Sequence, residues 1–324
     1  MNYTHQLQFL SDEDFRNLAL KIFKNQANHN AIYKQWLDLL KIPTNEITDL
    51  KDIPFLPIQF FKDHDIKTGK WEYKTVFKSS GTTGTSTSSH FVKDMHHYLT
   101  NSKLIFEKLF GQITDWVIIG LLPSYLERPD SSLVAMVNHF IKECKHSEAG
   151  FYLYNYNELL KSLKEASVKG KKVMLFGVTF ALLELVEKGH KFPPGVHIIE
   201  TGGMKGRGKE LIREELHHKL GQLEPESILS EYGMTELFSQ AYMIQNFQFS
   251  PPSSMKIFIR DPYDPFEILE NGKSGGINII DLANKDTCSF IATEDIGRKF
   301  PDGSFEVLGR LDNAQLRGCN LLVG

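Results

Sequence analysis

Between aromatic stretches around Trp71, Tyr73 and Phe77 on one side and Phe91 on the other lies Ser79-Ser80-Gly81-Thr82-Thr83-Gly84, followed by Thr85-Ser86-Thr87-Ser88-Ser89. Its two glycines let backbone N–H groups converge on one anion, and its hydroxyls add donors without a fixed charge. Such a loop suits a phosphate chain that arrives, reacts and leaves. The same composition also describes a flexible Ser/Thr/Gly linker. A second run, Gly203-Met204-Lys205-Gly206-Arg207-Gly208-Lys209, satisfies the G-x4-G-K half of a P-loop after a predicted strand. Glu210 stands where that motif requires a magnesium-binding hydroxyl, which disfavours P-loop chemistry.

The elements that must position such a loop alternate. Phe15, Leu18, Ala19, Ile22 and Phe23 recur at helical spacing, as do Ile32, Trp36, Leu39 and Leu40, with Ser11 or Asp12 as the first cap. Asp52-Ile53-Pro54-Phe55-Leu56-Pro57 interrupts the helices. Beyond the loop, apolar runs at 116–122, 172–177, 196–200 and 227–230 predict buried strands, with helices around 131–143, 180–188 and 207–220 between them. That alternation predicts an α/β fold with a mainly parallel sheet flanked by helices. Short strands at 257–259, 276–280 and 304–308, with Asn271-Gly272 and Asp302-Gly303 as turns, predict a small β-rich part from about residue 250. The expected division is a helical segment over 1–70 packed on a body over 71–324.

A net charge of −3 gives no general electrostatic reason to bind nucleic acid or an anionic membrane surface. No apolar run approaches the roughly 20 residues of a membrane-spanning helix, and no basic-then-apolar signal opens the chain. Cys144, Cys288 and Cys319 are odd in number and widely spaced, which reads as free thiols in a reducing cytoplasm. The tandem pairs His96-His97 and His217-His218 point about 100 degrees apart on a helix, so neither forms a two-ligand metal face.

The run Ser79–Gly84 resembles the signature of the adenylate-forming superfamily, which includes acyl-CoA ligases, luciferases and peptide-synthetase adenylation domains. Three later stretches resemble its other motifs in the right order. Glu231-Tyr232-Gly233-Met234-Thr235-Glu236 is similar to Y-G-x-T-E, Thr293-Glu294-Asp295 to the ribose-binding motif, and Gly309-Arg310-Leu311-Asp312 to the hinge motif. The resemblance implies ATP and Mg²⁺ as cofactors. Ser79, Ser80, Gly81, Thr82, Thr83 and Gly84 would hold the β- and γ-phosphates, and Thr235 would donate to the α-phosphate. Glu236 is a hard oxygen ligand for Mg²⁺. Tyr232 would face adenine, with Gly202 and Gly203 allowing close backbone approach. Asp295 would accept from the ribose hydroxyls, and Arg310 would place a cation near the ribose or phosphates.

Members of the superfamily usually continue past the hinge motif into a lid domain carrying a lysine, whereas this sequence ends at Gly324, so that domain is expected to be absent. Short members with this ending resemble the acyl-protein synthetase family, the LuxE type. The features involved are Phe55-Leu56-Pro57, the serine-extended loop, Glu200-Thr201-Gly202-Gly203 and Arg317-Gly318-Cys319. That resemblance implies an acyl-AMP formed from a carboxylic acid, with fatty acids as the analogy. The acyl group would then pass to Cys319 and on to a partner protein. A thiol of pKa about 8.5 is a few per cent thiolate at neutral pH, and a nearby Arg317 would raise that fraction. The small buried hydrophobe is the ordinary alternative for Cys319.

Departures from the superfamily are visible too. The loop ends in Thr85-Ser86-Thr87-Ser88 rather than Pro-Lys, and Lys93 or His90 stands as a possible compensating cation. Two other functions remain open at this level: a compact acyl- or aryl-CoA ligase, and a non-catalytic nucleotide- or acyl-binding relative. Phe176 and Phe180 read as core more readily than as liners of an acid pocket.

Overall fold

The computed structural model describes residues 2–79, 87–123, 130–202 and 211–311. Helices α1 (Tyr3–Gln6), α2 (Asp12–His29) and α3 (Ala31–Leu39) come first, then strand β1 (Leu56–Pro57) and the single turn α4 (Phe60–Asp63). Strands β2 (Thr75–Lys78) and β3 (Ser89–Val92) pair as a separate antiparallel hairpin ahead of α5 (Met95–Phe110). The alternating stretch is β4 (Trp116–Leu121), α6 (Ser132–Cys144), β5 (Gly150–Tyr152), α7 (Tyr156–Val168), β6 (Lys172–Val178), α8 (Thr179–Glu187), β7 (Val196–Thr201), α9 (Arg213–Leu220) and β8 (Ser227–Tyr232). Six further strands follow: β9 (Ala241–Gln245), β10 (Gln248–Ser250), β11 (Met255–Arg260), β12 (Ser274–Asp281), β13 (Phe290–Lys299) and β14 (Phe305–Arg310).

Apolar runs become central strands because a parallel strand covered on both faces has no solvent side. Every residue of β4 is buried, as is β6 after Lys172. The parallel part runs β5-β4-β6-β7-β8, and β9 then turns back antiparallel on β8. From there β10, β14, β13, β12 and β11 continue the same sheet antiparallel, so the strands of the last third are hydrogen-bonded to the parallel ones. The mixed sheet flanked by helices is the expected α/β architecture.

Helices cover the two faces with different chemistry. On one, Phe106 of α5, Phe140 of α6 and Phe176 of β6 form a ring cluster with centroids 5.2–6.2 Å apart, so Phe176 belongs to the core. On the other, Arg213 at the start of α9 pairs with the buried Glu200 of β7 at 2.5 Å and reaches Ser230 of β8 at 3.2 Å. Ser11, rather than Asp12, caps α2 by accepting from Asp14 N, and three acidic residues in that first turn suit the helix dipole. The buried face of α2 rests on β13, where Phe23 meets Phe290 edge-on at 5.8 Å. Gln26 also accepts from Ser289 N at 2.9 Å.

After β8 the chain crosses the interior without regular structure, and its buried backbone groups need partners. Asp281, fully buried at the end of β12, supplies them. Its carboxylate accepts from Phe238 N (2.8 Å), Ser239 N (2.9 Å), Ser239 Oγ (2.7 Å) and Ala283 N (3.0 Å). Asp281→Ala strands these donors and is expected to cost about 3 kcal/mol of stability. The check is the urea midpoint at an unchanged slope, with Asp281→Asn losing less; equal stability of Asp281→Ala and wild type would contradict this role.

Candidate active site

The hairpin β2–β3 carries the hydroxyl-rich loop. Ser79 and Ser88 close it: Ser79 N donates to Ser88 O at 3.1 Å, and Ser88 N donates to Ser79 Oγ at 2.9 Å. Of the residues singled out in the sequence, Ser80, Gly81, Thr82, Thr83, Gly84, Gly203 and Cys319 lie outside the described residues. The Gly203–Lys209 run does as well.

Ser88 leads from this loop to the Tyr232–Glu236 stretch. Its side chain hydrogen-bonds the carboxyl of Glu236, which is only 5% exposed. Burial raises the Glu236 pKa, against the Ser88 bond and the fields of Lys62 and Arg310. Asn284 Nδ2 donates to the Glu236 carbonyl at 2.7 Å. His90, fully buried on β3, donates from Nδ1 to Thr235 O at 2.8 Å, and its Nε2 lies 2.9 Å from Thr287 Oγ1. A carbonyl can only accept, so Nδ1 carries a proton. Burial pushes the pKa of the ring down to about 4, so it is neutral at pH 7. His90 therefore braces the loop and does not supply the compensating cation suggested by the sequence. Lys93 is engaged with Asp286 at 2.8 Å.

The Tyr232 hydroxyl donates to Asp295 Oδ2 at 2.8 Å, joining the end of β8 to the middle of β13. Its ring is buried against Phe305 (5.3 Å) and Phe249 (5.7 Å). Asp295 pairs in register with Arg310, whose Nε lies 3.6 Å from Asp295 Oδ1. Thr293 Oγ1 accepts from Asp295 N at 3.1 Å and donates to Ile277 O at 2.9 Å, fixing the strand at that point. Asp295 is 14% exposed at its side chain and Arg310 68%, so the pair lies at the surface end of the buried assembly. Gly202 follows β7 with φ +77°, left-handed backbone that favours glycine.

Glu231 is a residue the sequence reading passed over. The Thr201 hydroxyl at the end of β7 donates to its Oε2, and Oε1 lies against Gly233 where a Cβ would sit. Burial, with the nearby Glu200 carboxylate adding to it and the Thr201 bond opposing, pushes its pKa up to about 7. Only its proximity in sequence to Tyr232 signalled it. Cys144 and Cys288 are buried, and burial pushes the Cys288 thiol up to about 12. Among the described residues, no group of three or more His, Cys, Asp or Glu forms a metal cluster. No described helix is long and apolar enough to cross a membrane.

No protein-family model matches the sequence, and no curated protein matches it. Solved structures do. The ATP-bound MatB of Rhodopseudomonas palustris aligns with a TM-score of 0.53 at 17% identity, over 72% of this chain and 47% of that one. A 2-hydroxyisobutyryl-CoA ligase in its postadenylation state with 2-HIB-AMP aligns with a TM-score of 0.68 at 12% identity, over 93% of this chain and 68% of that one. This chain has the adenylate-forming fold. It spans about half the length of the MatB chain.

Protonation of Glu231 has a definite sign. Its folded pKa of about 7 lies above the ordinary 4.5, so its contribution to stability is complete below pH 4.5 and is lost as pH rises to 7. Glu231→Gln removes that loss. The melting temperature of the variant relative to wild type is expected to climb steadily between pH 4.5 and pH 7. A pH-independent difference would show that Glu231 ionises normally.

Proposed function

We propose that this protein uses ATP to activate a carboxylic acid as an acyl-adenylate and then transfers the acyl group to a thiol. The observation that carries the reading is the joining of Tyr232, Asp295 and Arg310 beside the Ser88–Glu236 pair. This happens in a fold shared with an ATP-bound enzyme and with a ligase holding an acyl-AMP. The site lies past the carboxyl ends of β7 and β8, where open α/β sheets bind ligands.

Each group has a task that its surroundings suit. Asp295, held by the Tyr232 hydroxyl, accepts from the ribose hydroxyls, and Arg310 lies over the same end. The glycine at 202 admits close backbone approach. Thr235, pinned through its carbonyl by His90, keeps its side chain available to the α-phosphate. Residues Ser79 to Gly84 would take the β- and γ-phosphates. Glu236 fits Mg²⁺, because a desolvated carboxylate is short of positive charge and Mg²⁺ takes few protein oxygens besides phosphates. When bound, the ion would neutralise the phosphate charge. A carboxylate oxygen of the acid attacks the α-phosphorus, and the bond to the pyrophosphate oxygen breaks. The thiolate of Cys319 then attacks the acyl carbon, a thioester forms and AMP leaves. In this reading the acyl group continues to an acyl-accepting partner protein.

Coenzyme A as the acceptor is the second reading. It is favoured by a structure of the 2-hydroxyisobutyryl-CoA ligase with 2-HIB-AMP and CoA, which aligns with a TM-score of 0.64 at 11% identity over 93% of this chain and 70% of that one.

ATP–pyrophosphate exchange over a panel of acids tests the first half-reaction. Glu236→Ala is expected to lower the exchange rate about 100-fold or more, and Asp295→Ala to raise the KM for ATP about tenfold. Exchange unchanged in Glu236→Ala would remove that residue from the metal site. Acid label retained on the wild-type protein and lost from Cys319→Ala supports the protein thioester, while release of free acyl-CoA supports the second reading.

A further inference from the structure

Strand β13 has two neighbours along one edge. β1 runs parallel to it at Ile291 and Ala292, and β14 takes over from Asp295. The turn α4 therefore leaves the sheet beside the Asp295–Arg310 pair. It is tied down at several points. Ile58 N donates to Ala292 O at 2.9 Å, and Gln59 Nε2 donates to Glu294 Oε1 at 2.7 Å. Phe60 meets Trp36 edge-on at 5.5 Å, and the fully buried Phe61 meets His90 edge-on at 5.6 Å. His90 is the ring that holds Thr235. A single helical turn is thus fixed both to the strand of Asp295 and to the loop of Glu236.

Lys62 is the cation on that turn. Its side chain is exposed, yet its charge reaches the nearly buried Glu236 carboxyl, as does that of Arg310. Arg310 is engaged with Asp295, Lys93 with Asp286, and Lys67 sits over the Phe91 ring at 5.2 Å. Among the described residues Lys62 makes no ion pair or ring contact. A solvated surface lysine is free to point away from the protein. This one stands on a backbone anchored at both sides, and its charge acts on the proposed metal carboxylate.

We propose that Lys62 is a catalytic residue that contacts the β- and γ-phosphates of ATP beside Glu236 and carries their charge as pyrophosphate leaves. The inference rests on the adenylation reading. When the bond from the α-phosphorus to the bridging oxygen breaks, that oxygen gains the bonding pair. The ammonium of Lys62 pairs with the resulting pyrophosphate and keeps its proton throughout.

Calorimetry with MgATP, magnesium pyrophosphate and AMP on wild type, Lys62→Met and Lys62→Arg, together with exchange kinetics, tests the contact. Lys62→Met is expected to weaken ATP and pyrophosphate about tenfold or more while leaving AMP within about twofold. It is expected to lower the exchange kcat about 100-fold, with Lys62→Arg recovering part of it and the melting temperature unchanged. Equal affinities of Lys62→Met and wild type for all three ligands would reduce Lys62 to a surface charge, as would equal weakening of all three. Wild type that binds ATP but exchanges with no acid overturns adenylation, and the difference between ATP and AMP then judges the Lys62 contact by itself. Wild type that fails to bind ATP overturns both.

Discussion

A loop that runs through the middle of a protein must have its buried backbone groups satisfied, and here the Asp281 carboxylate meets that demand for the stretch after β8. Placed at the end of β12, it gathers the amides of Phe238 and Ser239 and turns the chain back toward β9. Asn101 of α5 and Asn284 add bonds to the carbonyls of Phe238 and Glu236. The reactive-looking residues stand just before this knot. Their positions follow from buried polar groups of the surrounding framework, the kind of support a preorganised site requires.

The two faces of the sheet treat adjacent carboxylates in opposite ways. Glu200 meets Arg213 and Thr179 on the face of α9, and Arg213 also donates to Ser230, an environment that keeps a buried charge paired. Glu231, one strand over and facing the other way, has a hydroxyl partner and a burial that favours the neutral acid. Strand alternation alone accounts for the difference, since neighbouring positions point to opposite faces. Charge stays on the ionic side, and a carboxyl neutral at mild acidity lies on the other.

The central strands were readable because their chemistry is local. Largely apolar runs at 116–122 and 172–177 announced burial on both faces, and they became β4 and β6. The return of the chain after β8 was not readable. β9 and β10 are joined through Asn246 and Phe247, both at positive φ, and a turn without glycine gave no usual hairpin signal. Helix α5 was passed over because His97, Asn101 and Ser102 fall within its buried stripe, whereas α7 keeps Tyr156, Leu159, Leu163 and Ala166 at helical spacing and was legible in the sequence. His90 suggested a cation by its type, and burial made it a neutral brace.

By itself the sequence determined the order of the chemistry-bearing stretches and the alternation of helix and strand. Residue type and spacing act within one element, and those two features need nothing more. Only the tertiary structure decided that Tyr232 would hold Asp295, that His90 would hold Thr235, and that Lys62 would stand on a turn bound to both regions. Such contacts join residues up to 235 positions apart, as between Gln59 and Glu294. They depend on strand order and register, which an alternating or continuous apolar pattern leaves open.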